Sequence, residues 1–134
     1  MIYMTTDWYS VPKARLFPNV MMVFGDNLGR VGKGGQAVIR DEPNAIGIAT
    51  KRSCGEYFDG SLDDVQAMVA DMLRIEGILR TKQDVLFPIN ADGTSSLGCG
   101  LSELPERAPA MYGLLNDWFQ RLPDKRRVRM NALD

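Results

Sequence analysis

The order of patterns along this chain predicts an α/β domain with a mostly parallel sheet. Three observations carry that reading. Short continuous apolar runs recur at residues 20–24, 45–49 and 84–89, the length of buried strands. Segments with helical periodicity separate them. Glycine-rich or Asn/Asp-rich turns follow two of the three runs. Strand, loop and helix repeated in this way lay strands side by side and parallel.

Each element has its own signal. Val20, Met21, Met22, Val23 and Phe24 form the first run, which Gly25, Asp26 and Asn27 are expected to stop. A short helix is expected to start at Gly35 or Gln36 and to end before Pro43. Residues 45–49, Ala-Ile-Gly-Ile-Ala, form the second strand. Ser61 caps the next helix, with Asp64 three residues on at a capping-box-like spacing. Leu62, Val65, Val69, Met72 and Leu73 share its apolar face, and Gly77 is its expected stop. Residues 84–89 form the third strand. In the last helix Ala108, Met111, Tyr112, Leu115, Trp118, Phe119 and Leu122 recur at helical spacing. Pro105 or Pro109 lies in its first turn, where a missing N–H costs little. A basic tail follows, with Lys125, Arg126, Arg127 and Arg129.

A length of 134 residues suits one domain. The expected organisation is a single unit over 1–134, with a core at about 20–122 and a tail at 123–134. Hydrophobic residues make up 45% of the chain, enough for a core without metal or disulfides. Sixteen Lys and Arg against 17 Asp and Glu leave a net charge of −1, and so no global pull toward nucleic acid or acidic lipid. No apolar run approaches the roughly 18 residues of a membrane span, and residues 1–7 lack the pattern of a signal peptide. Two cysteines, Cys54 and Cys99, fit a reducing compartment. The expected location is therefore the cytoplasm, with no membrane partner.

The chain contains no histidine. That excludes Ser-His-Asp triads, Cys-His pairs and His-ligated metals within one chain. Two cysteines alone do not make a structural zinc site. No metal or cofactor is expected. Chemistry falls to carboxylates, Lys, Arg, Tyr, Cys, hydroxyls and backbone dipoles.

Two glycine-rich loops are the candidate site. The first runs from Gly25 through Asp26, Asn27, Gly29, Gly32, Gly34 and Gly35 to Gln36. Glycine lets backbone approach a ligand, and successive N–H groups at a helix start cradle a phosphate. The second runs from Asn90 to Gly100 and carries Asp92, Thr94, Ser95, Ser96, Gly98 and Cys99. Its small hydroxyl residues suit a phosphate or a ribose. Both loops follow strands, so both can lie at the carboxyl edge of the sheet, where such folds bind ligands. Thr50 and Lys51 directly follow the second strand. A lysine there can stabilise an anion or, if desolvated, attack an aldehyde or ribose C1 as a free amine; the alternative is a solvated surface residue. Asp92 and Glu103 are acid/base candidates or, alternatively, loop and cap residues. Cys99 is a nucleophile only if a helix N-terminus or a lysine activates it. Trp8 with Tyr9, and Tyr57 with Phe58, either stack on a base or pack against loops.

In order and content these pieces resemble a macrodomain, the ADP-ribose-binding fold. They are most similar to its antitoxin branch of DNA-ADP-ribosyl glycohydrolases. The resemblance runs over Met22 to Arg40, over Ala49-Thr50-Lys51 with the Ser61-capped helix, and over Phe87-Pro88 with Leu97-Gly98-Cys99-Gly100-Leu101. The chain also resembles small uncharacterised phage-encoded proteins of compact macro-like build. It departs from the antitoxins in the Gly-Asp before Asn27 and in Ala49, where they have proline. The resemblance implies a compact three-layer α/β/α fold with a mostly parallel mixed sheet. It implies ADP-ribose, or a related NAD-derived nucleotide, as the ligand. Asn27 would face the ribose, Lys51 would be the active lysine, and the two loops would hold the diphosphate and distal ribose. The substrates implied are ADP-ribosylated nucleic acid or protein. A non-catalytic binder that sequesters a signalling nucleotide is the alternative. A nucleic-acid or protein interaction module built on residues 125–129 is a further one.

Overall fold

The structure is a computed structural model that describes residues 1–130; the end of the basic tail, 131–134, lies outside the described residues. Six strands form one sheet: β1 (Ile2–Thr5), β2 (Val20–Asn27), β3 (Ala45–Ser53), β4 (Glu56–Tyr57), β5 (Asp84–Pro88) and β6 (Lys125–Arg127). Their order across the sheet is β4-β3-β2-β5-β1-β6. All pairings are parallel except the β3–β4 hairpin. The fold is α/β, as the sequence predicts.

The alternation along each central strand sorts the core onto two faces. Val23, Ile46, Ile48, Val85 and Phe87 face one side. There they pack under α2 (Leu62–Arg80), the one-turn α3 (Leu104–Arg107) and α4 (Pro109–Arg121). Met22, Phe24 and Leu86 face the other side. Their cover is thinner: α1 (Val11–Leu16) and a five-residue 3-10 helix, Gly35–Ile39, with Tyr9, Ala14, Ala37 and Ile39 buried against them. The result is three layers with one thick and one thin helical side.

Several elements differ from the sequence expectation. β2 does not stop at Gly25 but continues through Asn27, because its last residues stay paired with β3. The helix expected near Gly35 is only the 3-10 helix, which ends before Asp41. Gly77 does not end α2, which runs on to Arg80. Ile78 and Leu79 still pack on the core, and that outweighs the ~1 kcal/mol a mid-helix glycine costs. The α2 face is also rotated from the expected one. Met68, Met72 and Ile75 are buried, whereas Leu62 and Leu73 are 70% and 58% exposed. Asp64 and Asp71 take the inward places, held by ion pairs to Arg52 and Arg30. Of the two prolines, Pro109 opens α4 and Pro105 opens α3.

The sheet reaches past residues 20–122 at both ends. β1 pairs with β5, and β6 pairs with β1. Tyr9 and Met130 join the thin-side core. Part of the expected tail is therefore an edge strand. Its charges suit an edge, where they discourage pairing with another chain. Among the described residues, no helix is long and apolar enough to cross a membrane.

Candidate functional site

Parallel strands point their carboxyl ends the same way, and β1, β2, β3 and β5 all deliver their following loops to one edge. The first loop leaves β2 at Asn27 and turns through Arg30, a non-glycine residue at φ 55°. Charge pays for that turn. The Arg30 guanidinium donates to both Asp71 oxygens, at 3.1 and 2.9 Å, and to Asp26 Oδ2 at 3.1 Å. Burial works against the arginine's charge, but these carboxylates outweigh it and raise its pKa. Asp71 also accepts from Ala49 N at 2.7 Å, so one carboxylate ties the loop, α2 and β3 together.

Arg40 braces the loop from the other side. It donates to Gly32 O at 2.8 Å and Val31 O at 3.0 Å, pairs with Asp26 Oδ1 at 2.6 Å, and lies over the Phe24 ring. The carbonyls of Val31 and Gly32 are thus engaged. The amides of Gly32 and Gly34 have no acceptor among the described residues.

The second loop is seated through its own backbone. Gly25 N donates to Leu97 O at 2.9 Å, and Ser96 N donates to Pro88 O at 2.9 Å. Gly100 N donates to the buried Thr50 Oγ1 at 3.1 Å. Glycine is required at both contact points. A Cβ on Gly25 would stand 2.2 Å from Leu97 O, and one on Gly100 would stand 2.6 Å from Thr50 O. The second loop is thus seated on the ends of β2 and β3, and both loops face one cleft, which their sequences alone do not establish.

Between them lies a cleft of about 330 Å³, near the lower end of the range for small-molecule sites. Of the residues predicted from sequence, Asn27, Gly32, Gly34, Gly35, Gln36, Lys51, Ser96, Gly98 and Cys99 line it. Asn27 is 2% exposed, and its Nδ2 donates to Val31 O at 2.9 Å. Its Oδ1 is buried without a hydrogen-bond partner among the described residues. Gln36 Oε1 accepts from Tyr9 N at 2.9 Å. Lys51 Nζ donates to Cys54 O at 3.3 Å and sits over the Tyr57 ring.

The other predicted residues lie elsewhere. Asp26, Thr50 and Gly100 are buried behind the wall and hold it up: Asp26 through its two arginines, Thr50 and Gly100 through each other. Thr94 and Ser95 line a neighbouring cleft of about 290 Å³, which shares Ser96 and Gly98 with the first. Asp92 lines neither. Its carboxylate accepts from Thr94 Oγ1 at 2.6 Å and Thr94 N at 3.0 Å, which hold it below the usual carboxylate range. It is ionised at neutral pH and closes a turn, a poor arrangement for a general acid.

Sequence reasoning did not single out Arg40, Cys54 or Val31 as cleft residues. Arg40 gave no local signal, because its partners lie 8 to 14 residues away along the chain. The aromatic pairs split. Tyr9 is buried with its hydroxyl on Val23 O at 2.8 Å, and burial pushes its pKa well up. Phe58 is core, Tyr57 is half-buried beneath Lys51 and Arg107, and Trp8 stands exposed on the rim. Among the described residues, no cluster of three or more His, Cys, Asp or Glu could hold a metal.

Fold and site together define an α/β protein with a two-loop cleft at the carboxyl edge of its sheet. Residues 4–118 match the model of DUF7831, a family of unknown function, and the chain belongs to that family. No curated protein and no solved structure matches it.

Proposed function

We propose that the cleft binds ADP-ribose or a related NAD-derived nucleotide. The observation that carries this reading is that both glycine-rich loops line one cleft together with Asn27. The amides of Gly32 and Gly34 are available to phosphate oxygens. The unpartnered Asn27 Oδ1 needs a donor, and leaving such an acceptor unmet costs about 1–3 kcal/mol. A ribose hydroxyl supplies one. The test is thermal unfolding with ADP-ribose, with AMP, NAD and ribose-5-phosphate as controls. A ligand at 100 times its Kd adds about 2.7 kcal/mol, several degrees of melting temperature in a domain of this size. A selective rise with ADP-ribose supports the reading; no shift with any of the four contradicts it.

Lys51 favours a second step, hydrolysis of ADP-ribosylated nucleic acid or protein, because it lines the same cleft as Asn27. Lys51→Ala should then abolish release of ADP-ribose while largely keeping binding. Unchanged turnover in that variant contradicts a catalytic lysine, and binding without product leaves a sequestering protein. A nucleic-acid surface on β6 has less support. Lys125 Nζ is held by Gln120 O and Leu122 O, and Arg127 by Ala91 O.

A further inference from the structure

Trp8 is 68% exposed, yet its backbone is held at the carbonyl and at the next residue. Its carbonyl accepts from the buried Lys13 Nζ at 2.8 Å. The next residue, Tyr9, is buried and bonded through both its N–H and its hydroxyl. The chain fixes the main chain on either side of a large aromatic ring and leaves that ring in solvent. The ring is also on the wall of the cleft, next to the first loop. A Cβ on Gly35 would lie 3.8 Å from Trp8 Cζ3, in ordinary contact, so glycine leaves that gap open.

The position along the cleft is informative as well. Trp8 follows β1, whereas Lys51 lies near the end of β3, and β2 and β5 stand between them. The chain after β1 turns back over that span: Tyr9, beside Trp8, bonds to Val23 O of β2 and Leu86 O of β5, and the Trp8 ring lies by Gly35 of the first loop. Asn27 ends β2, on the β3 side of that span. The cleft wall thus offers a flat apolar ring beside the first loop, together with a hydrogen-bonding amide, an amine and glycine backbone.

We propose that Trp8 is the base platform of the site. The ligand is a nucleotide whose planar base stacks on the indole while its sugar reaches Asn27 and Lys51. This rests on the nucleotide reading above and adds to it the ligand's orientation and the need for a base. Aromatic faces hold bases through stacking that tolerates base identity.

The test is calorimetric binding of ADP-ribose, AMP and ribose-5-phosphate to the wild type, Trp8→Ala and Trp8→Phe. Stacking is worth about 1–3 kcal/mol per base, so Trp8→Ala should weaken ADP-ribose and AMP by roughly 5- to 150-fold. Ribose-5-phosphate, which has no base, should bind all three proteins alike. Trp8→Phe should recover most of the loss, and melting temperatures should stay close to wild type because the ring is exposed. Equal ADP-ribose affinity in wild type and Trp8→Ala overturns the platform but leaves the nucleotide reading standing. An equal loss for ribose-5-phosphate also overturns it, since Trp8 would then be shaping the loop. Failure of the wild type to bind any of the three removes the nucleotide reading and the platform with it.

Discussion

The first glycine-rich loop is anchored by charged side chains, with Arg30 and Arg40 gripping Asp26 and Asp71. The second is anchored by its own backbone, with Leu97 O on Gly25 of β2 and Gly100 on Thr50 of β3. Both wall the same cleft, but different physics holds them. Ion pairs act through long side chains that can shift. Backbone contacts at glycine have no such tolerance, because a single methyl group fills the space. The second loop is therefore a rigid wall, and the first is a wall whose position depends on charge.

Substitutions at the anchors test that contrast most severely. Gly25→Ala puts a Cβ 2.2 Å from Leu97 O, and backbone on both sides has to move. The expected loss is about 3 kcal/mol, the upper part of the range for overpacking, read by urea or thermal unfolding. Asp71→Ala acts on the first loop. It strands the buried Ala49 N–H and releases Arg30, at an expected cost of about 2 kcal/mol. The same measurement at high salt should shrink the difference, since Arg30 is 40% exposed and its ion pair is open to screening.

Acid should probe the neighbouring ionic anchor, Asp64 with Arg52, which ties β3 to the start of α2. Burial alone would raise the Asp64 pKa, but hydrogen bonds from Arg52 and from Asp59 N–H outweigh it and lower the value. A carboxyl lowered in the folded state stabilises the fold above its unfolded pKa of about 3.9, and that stability is lost as pH falls through the folded value. Melting temperature should accordingly drop from pH 5 toward pH 2, and Asp64→Asn should show a shallower drop. The smallest effect belongs to Gly34→Ala. Nothing stands within 4 Å of its Cβ position and its φ is −76°, so stability should change by no more than about 0.5 kcal/mol. A large loss there would show the first loop to be as rigid as the second.

The same division explains what could be read in the sequence. β2, β3 and β5 were legible because buried parallel strands are continuous apolar runs. The Ser61 cap of α2 and the apolar stripe of α4 were legible because both are local patterns. β6 was not, because Lys-Arg-Arg carries no strand signal and joins the sheet only as an edge. β1 is four residues long, half of them only partly buried. The glycines of the site were visible, and so were Asn27 and Lys51 beside them. The arginines that position the first loop were not, since Arg30 reaches Asp71 across 41 residues. Nor could the pattern say that of Trp8 and Tyr9 one is buried and the other left in solvent.

The central claim is that both loops contact one nucleotide. It is tested most directly by following the backbone amide resonances of the protein as ADP-ribose is added. The amides of Gly32, Gly34 and Gly35 should shift together with those of Gly98, Cys99 and Gly100, with a common apparent Kd, while those of β6 stay still. Shifts in β6 alone, or in one loop without the other, would contradict it.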